Sequence, residues 1–231
     1  MAARRKLGVQ KAGVEHDMLQ PDFQRLPLPG PYTASFFHRW GDLEERGRLS
    51  RGDRYWLGVL STAGLWSREQ VEVNYWPVIR RLKQSFPVLH GKNILEIGCG
   101  GGILLRFLKE VEGVNVRGVD TSKLAIDYAR RCNNLNGEVE AGGLSSLDGF
   151  PSSWADVILS VRVMEPLTLT DSQVRGYLRH SDHVLRRGGL HLHFVTENVH
   201  EDTFRRLGYA DVTTEPLKGG LFNYCITAKK R

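Results

Sequence analysis

One stretch, between residues 93 and 111, limits the possible folds of this chain more than any other. Ile94, Leu95 and Ile97 have the apolar character of a buried strand, and four glycines follow within the next five positions. The apolar residues of positions 103 to 111 then predict a helix that begins at the turn. Glycines let a ligand approach bare backbone, and a helix N-terminus favours polar ligand groups. The strand, turn and helix therefore predict a nucleotide site.

The spacing of the glycines distinguishes two classes of nucleotide cofactor. A dinucleotide fingerprint would require glycine or alanine at position 103, where this chain has Ile103. Instead, an acid, Glu96, stands two residues before Gly98, and glycines recur at every second position after it. A second predicted strand, over 114–119, ends in Asp120, which is placed to accept hydrogen bonds from the two hydroxyls of a ribose.

These residues carry a resemblance to a known family. Glu96-Ile-Gly98-Cys-Gly100-Gly-Gly102, followed by Gly118-Val-Asp120, resembles the first two motifs of class I S-adenosylmethionine-dependent methyltransferases. The resemblance implies S-adenosylmethionine as cofactor, with the first motif at its methionine half, Asp120 at the ribose and the residues after strand three at the adenine. The implied cofactor-binding residues are Glu96, Gly98, Cys99, Gly100, Gly102, Asp120, Thr121, Ser122, Gly143, Leu144 and Ser160.

After the third predicted strand the chain departs from the family pattern. Many relatives have an Asp or Asn there that accepts the adenine amino group, whereas this chain reads Ala141-Gly142-Gly143-Leu144. Backbone contacts from Gly143 and Leu144 would have to replace that side chain.

Alternating strands and helices from Lys92 onward predict a parallel sheet. The resemblance implies that its strands follow the order of the class I methyltransferase family. The predicted fold is α/β: a seven-stranded, mostly parallel sheet with helices on both faces and a helical N-terminal cap. A helix is predicted over 171–185, closed by Gly188-Gly189. We predict a flexible tail at residues 1–31, a substrate-shaping cap at 32–88 and the S-adenosylmethionine-binding domain at 89–231.

Methyl transfer from a sulfonium is an in-line displacement that depends chiefly on alignment of the acceptor and exclusion of water. A general base is required only when the acceptor carries a proton that water cannot take. Glu165, after strand four, and Glu197, after strand five, are the candidate catalytic residues, although each also suits a solvated or capping role. The histidines and cysteines lack the spacing of a metal site, so no metal is expected.

Composition limits the cellular setting and the partners. The three cysteines form no Cys-x-x-Cys pair, and no apolar run is long enough for a membrane span, so a reduced cytoplasmic protein is expected. The net charge of +6 arises mostly in the first 90 residues, which hold 14 Lys and Arg against 9 Asp and Glu. This basic excess suits an anionic partner or simply a solvated surface.

Three functions remain open. The leading hypothesis is methylation of an oxygen or nitrogen of a small molecule, since residues 98–104 are similar to ubiquinone-pathway O-methyltransferases and their natural-product relatives. The basic N-terminal segment motivates methylation of a protein or RNA instead. The missing adenine acid motivates a catalytically silent, cofactor-binding partner subunit. The sequence leaves the oligomeric state undetermined.

Overall fold

The computed structural model of the 231-residue chain describes residues 34–61, 68–164, 170–197, 200–217 and 222–231. The tail predicted for residues 1–31 lies outside them. The N-terminal part contains three helices: α1 (Ala34–Glu45), α2 (Arg51–Ser61) and α3 (Arg68–Ser85). None of the helices within the described ranges combines the length and the apolar character needed to cross a membrane.

Strands and helices alternate through the rest of the described chain. The strands are β1 (Asn93–Ile97), β2 (Asn115–Asp120), β3 (Val139–Ala141), β4 (Ala155–Val161), β5 (Leu185–Val195), β6 (Ala210–Pro216) and β7 (Tyr224–Lys229). The helices are α4 (Ile103–Glu110), α5 (Lys123–Cys132), α6 (Asp171–Val184) and α7 (Glu201–Arg206), with a 3-10 helix over Leu144–Gly149.

The seven strands form one sheet in the order β3-β2-β1-β4-β5-β7-β6. The pairs from β3 to β5 are parallel, and β7 pairs antiparallel with both β5 and β6. This confirms the predicted seven-stranded, mostly parallel sheet.

Apolar side chains pack on both faces of the sheet. One buried cluster joins α3 and α4 to Ile94 and Leu159, and the other joins α6 and α7 to Leu95 and Ile97. A third cluster, in which Leu57 and Leu60 meet Tyr128, packs the N-terminal helices against α5. Burial of such apolar area is the main force that holds the cap on the domain.

The start of β5 differs from the predicted helix-closing turn. Helix α6 ends at Val184, and β5 begins at once and runs through Gly188 and Gly189. Gly188 N–H donates to the carbonyl of Lys230 at 3.0 Å, and Lys230 N–H donates to the carbonyl of Gly189 at 3.0 Å. Pairing with the C-terminal segment therefore turns the predicted loop into strand, a long-range effect that local sequence does not contain.

Candidate cofactor site

The strand order reverses between β1 and β4, and in open α/β sheets a ligand is expected at the carboxyl ends of the strands at such a point. The backbone leaves β1 through Gly98, Gly100 and Gly102, whose φ angles are +76°, +51° and +74°. A Cβ on Gly98 would come within 2.2 Å of the side chain of Val163, which follows β4. Glycine is therefore required both by the backbone conformation and by the close approach of the two strand ends.

Glu96 places an unsatisfied carboxylate oxygen beside this turn. Its side chain is 3% exposed, and its Oε2 has no hydrogen-bond partner among the described residues. Burial, with Asp120 adding negative charge, raises the pKa of Glu96 to about 8. An ammonium group on a ligand would satisfy this oxygen and favour the ionised form, so the residues fit the amino-acid half of S-adenosylmethionine.

Asp120 ends β2 and ties the glycine turn to the start of α5. Its Oδ2 accepts from Gly100 N–H at 2.9 Å, and its Oδ1 accepts from Ser122 N–H at 2.8 Å. Burial raises the pKa of Asp120, and these two hydrogen bonds oppose the rise. Because each carboxylate oxygen has more than one lone pair, Asp120 also suits the predicted contact with ribose hydroxyls.

Asp53, on the first turn of α2, fastens the cap to the same edge. Its Oδ1 accepts from Ser122 Oγ at 2.8 Å and from Leu124 N–H at 3.0 Å, and its Oδ2 accepts from Ser50 Oγ at 2.7 Å. Burial favours the neutral acid, but these hydrogen bonds outweigh it and lower the pKa of Asp53. A carboxylate of the cap thus caps α5, next to Asp120.

Replacing Asp53 with alanine is expected to lower the free energy of unfolding by about 2 to 3 kcal/mol, since Ser122 Oγ and Leu124 N–H lose a buried, charged acceptor. Urea titration at neutral pH measures the loss. Glu44→Ala, an exposed acid on α1, is the matched control and should change stability little. Equal losses in both variants would contradict the capping role.

Two aromatic residues of the cap close in on the turn. A Cβ on Gly100 would lie 2.2 Å from two carbons of the Trp56 indole, so this ring packs directly on Gly100. Tyr75, on α3, packs against the buried cluster that contains Ile94 and Cys99, and burial and the charge of Glu96 raise the pKa of its hydroxyl. The sequence did not assign Asp53, Trp56 or Tyr75 to the site. The spacing Ser50-x-x-Asp53 signals a helix start, but nothing local reveals that its carboxylate reaches α5.

Several predicted cofactor residues line the same edge in other ways. The Cys99 side chain packs against Gly118, and burial, together with Glu96 and Asp120, raises the pKa of its thiol, so its predicted contact with a cofactor would have to come from its backbone. Thr121 is exposed after Asp120. Gly143 and Leu144 stand at the start of the 3-10 helix, next to Gly142, whose N–H donates to the carbonyl of Asp120 at 2.9 Å. These positions agree with an adenine-facing segment, and their role stays a prediction.

Ser160 lies near the end of β4, opposite Ile97 in the strand register. Its hydroxyl is buried and lies 2.7 Å from Nδ1 of His193. Because side chains alternate along a strand, Ser160 faces the α6 side of the sheet, together with Ile97, rather than the side of Glu96. A contact between this hydroxyl and a cofactor stays a prediction.

The structure describes one of the two candidate bases. Glu165 lies outside the described residues, and Glu197 is exposed just after β5. In the part of the chain that the structure describes, no group of three or more His, Cys, Asp or Glu side chains has a geometry that would hold a metal ion.

Known proteins resemble this chain in sequence and in fold. Residues 94–189 match the family model described as "Methyltransferase domain". The ribosomal protein L11 methyltransferase of Burkholderia thailandensis is 28% identical over 100 residues, which are 43% of this chain and 33% of that protein. The mitochondrial ubiquinone biosynthesis O-methyltransferase of Schizosaccharomyces pombe is 37% identical over 81 residues, which are 32% of this chain and 28% of that protein. The chain thus spans a third or less of the length of these curated relatives.

A solved structure shows the same fold over nearly the whole chain. The magnesium protoporphyrin IX methyltransferase of Synechocystis PCC 6803, solved with bound S-adenosylmethionine, superposes with a TM-score of 0.58 at 13% identity. The match covers 87% of this chain and 99% of that one. The strand order and this structural match define a class I methyltransferase fold. Together with the matched family model, they show that the chain carries an S-adenosylmethionine-dependent methyltransferase domain.

Proposed function

We propose that this protein transfers a methyl group from S-adenosylmethionine to an oxygen or nitrogen of a small-molecule acceptor by in-line displacement. The observation that carries the proposal is the buried Glu96, whose Oε2 has no partner among the described residues, set beside a glycine turn that Asp120 fastens. A site of this kind presents two acids and bare backbone to a ligand with an ammonium group and a ribose.

Different residues would hold different parts of the cofactor. Glu96 and the glycine turn would hold the amino-acid half of the cofactor, Asp120 its ribose, and the backbone at Gly143 and Leu144 its adenine. The bound cofactor supplies a methyl group on a reactive sulfonium. The chain then has to orient the acceptor and exclude water, and Glu197 is our candidate for receiving a proton from the acceptor.

The aromatic residues of the cap favour the hypothesis of a small-molecule acceptor. Trp56 covers part of the glycine turn, and Tyr75 packs against the cluster on the Glu96 side of the sheet, so aromatic side chains would narrow the space next to a bound cofactor. Aromatic walls favour a compact, partly apolar acceptor. The similarity to a ubiquinone biosynthesis O-methyltransferase points the same way. We therefore propose residues 32–88 as the segment that shapes the acceptor site.

A protein acceptor is the second candidate, because the 100-residue similarity is to an enzyme named for ribosomal protein L11. Binding of a protein or RNA through the basic N-terminal segment would weaken steeply with salt, whereas binding of a small neutral acceptor would not.

A reducing compartment such as the cytoplasm is proposed from the three free cysteines, Cys99, Cys132 and Cys225.

Calorimetric titration tests the function at its first step. S-adenosylmethionine and S-adenosylhomocysteine are expected to bind with micromolar affinity, and NAD, as the control, is expected not to bind. Acceptor screening with the labelled methyl donor follows. Binding without turnover on any acceptor, and activity only with a second methyltransferase-like chain, would favour the silent-subunit hypothesis instead.

Asp120→Ala is expected to weaken S-adenosylmethionine binding by about 2 to 4 kcal/mol. The variant removes the proposed ribose contacts and also the acceptor that holds Gly100 N–H at 2.9 Å. Calorimetry measures the affinity, and Asp127→Ala, an acid farther along α5, serves as the control. Unchanged affinity in Asp120→Ala would contradict the ribose assignment.

A further inference from the structure

The Trp56 indole occupies the surface of the glycine turn. Two of its ring carbons would lie 2.2 Å from a Cβ on Gly100, so the ring touches the backbone where a ligand must pass. Trp56 is only partly buried and packs at the margin of the cluster that joins the cap to α5. Tyr55 stands against it at 5.6 Å between ring centroids, edge to face, and is 62% exposed. A ligand lying along the turn therefore meets this ring.

The charges around the same turn are acidic. The charge of Asp120 raises the pKa of Glu96, and the charge of Asp53 raises that of Asp120. The Oε2 of Glu96 is buried and has no partner within the described part of the chain. Carboxylates and an electron-rich aromatic face both favour positive charge in a ligand.

We propose that Trp56 is a specificity-determining residue of the donor site: its indole, set against Gly100 beside Glu96 and Asp120, favours the positively charged sulfonium cofactor over the neutral thioether product. The inference rests on the proposed function. S-adenosylmethionine and S-adenosylhomocysteine share the adenosine and the amino acid and differ in the methyl group and its charge. A residue that distinguishes the two ligands by this charge helps S-adenosylhomocysteine to dissociate after methyl transfer. Because it acts at the donor site, its effect does not depend on which acceptor is methylated.

The test is the ratio of two dissociation constants, measured by calorimetry on the full chain. Trp56→Leu is expected to lower the preference for S-adenosylmethionine over S-adenosylhomocysteine by about fivefold to thirtyfold, because leucine has no aromatic face. Trp56→Phe keeps an aromatic face and should retain part of the preference. Thermal melting of each variant confirms that it is folded.

Trp154→Leu is the matched control. Trp154 precedes β4 at the opposite end of the sheet and packs against Arg117, so the ratio should equal that of the wild type. An unchanged ratio in Trp56→Leu would overturn the inference. If both affinities rose equally, the indole would only block the site, and if both fell equally, it would only pack against the turn. Failure of the wild type to bind either ligand would instead overturn the proposed function.

Discussion

Glu96→Gln is expected to stabilise the ligand-free protein at alkaline pH and, at the same time, to abolish tight binding of the cofactor. Burial and Asp120 raise the pKa of Glu96 from 4.5 to about 8, so the folded state holds this proton more tightly than the unfolded state does. A raised carboxyl pKa contributes stability that is complete below pH 4.5 and is lost as the pH rises towards 8. The full loss amounts to about 5 kcal/mol, and the neutral amide of glutamine avoids it.

Urea titration of both proteins at pH 5, 7 and 9 measures the difference. The wild type and Glu96→Gln should be similar at pH 5, and at pH 9 the variant should be more stable by about 3 to 5 kcal/mol. Glu140→Gln, an exposed position on β3, is the control and should show no such gain. Parallel pH curves for the wild type and Glu96→Gln would mean that the carboxyl is solvated in the folded state.

This trade between stability and binding follows from the placement of Glu96. The buried Glu96 Oε2 has no hydrogen-bond partner among the described residues, which destabilises the ligand-free protein. An ammonium group of a ligand would supply that partner. Binding would then ionise Glu96 and release a proton at neutral pH. Calorimetry in buffers of different ionisation enthalpy detects that proton directly.

The class of fold could be predicted because its signals are local. The strand, the glycine turn and the helix from Asn93 to Glu110 are contiguous, and the alternation of strands and helices continues to the C-terminus. Cap residues also act over short distances: Ser122, the N-cap of α5, accepts from Ala125 N–H at 3.1 Å. The paired glycines 188 and 189 could not be interpreted in this way, because their partner, Lys230, stands some forty residues away in the sequence.

The residues of the candidate site also differ in whether local sequence signals predict them. Glu96, Gly100 and Asp120 belong to contiguous motifs, so the sequence could predict them as site residues. Asp53 and Trp56 reach the site only because α2 packs on α5, a contact made by buried apolar side chains with no motif of their own. The strand register likewise sets which face each side chain occupies, and it turns the Ser160 hydroxyl towards His193.

The paired histidines on β5 are expected to make the protein sensitive to mild acid. His191 and His193 are both fully buried, with their ring centroids 5.3 Å apart. Burial lowers the pKa of each, His191 lowers that of His193 further, and Asp182 opposes the shift at His191. Below the usual pKa of 6.5 the unfolded chain binds protons that the folded state does not, so stability is complete above that pH and falls below it. Each histidine contributes a slope of up to about 1.4 kcal/mol per pH unit.

As the pH falls below 6.5 the two histidines together are expected to lower the free energy of unfolding progressively. His193→Gln should reduce the slope by up to about 1.4 kcal/mol per pH unit, whatever its effect on stability at pH 8, because glutamine does not titrate. The exposed His90→Gln is the matched control and should keep the wild-type slope. Only the slope separates titration from packing, since replacing a buried ring changes stability at every pH. A His193→Gln curve parallel to that of the wild type would show that His193 is protonated in the folded state, with a counter-charge near its ring.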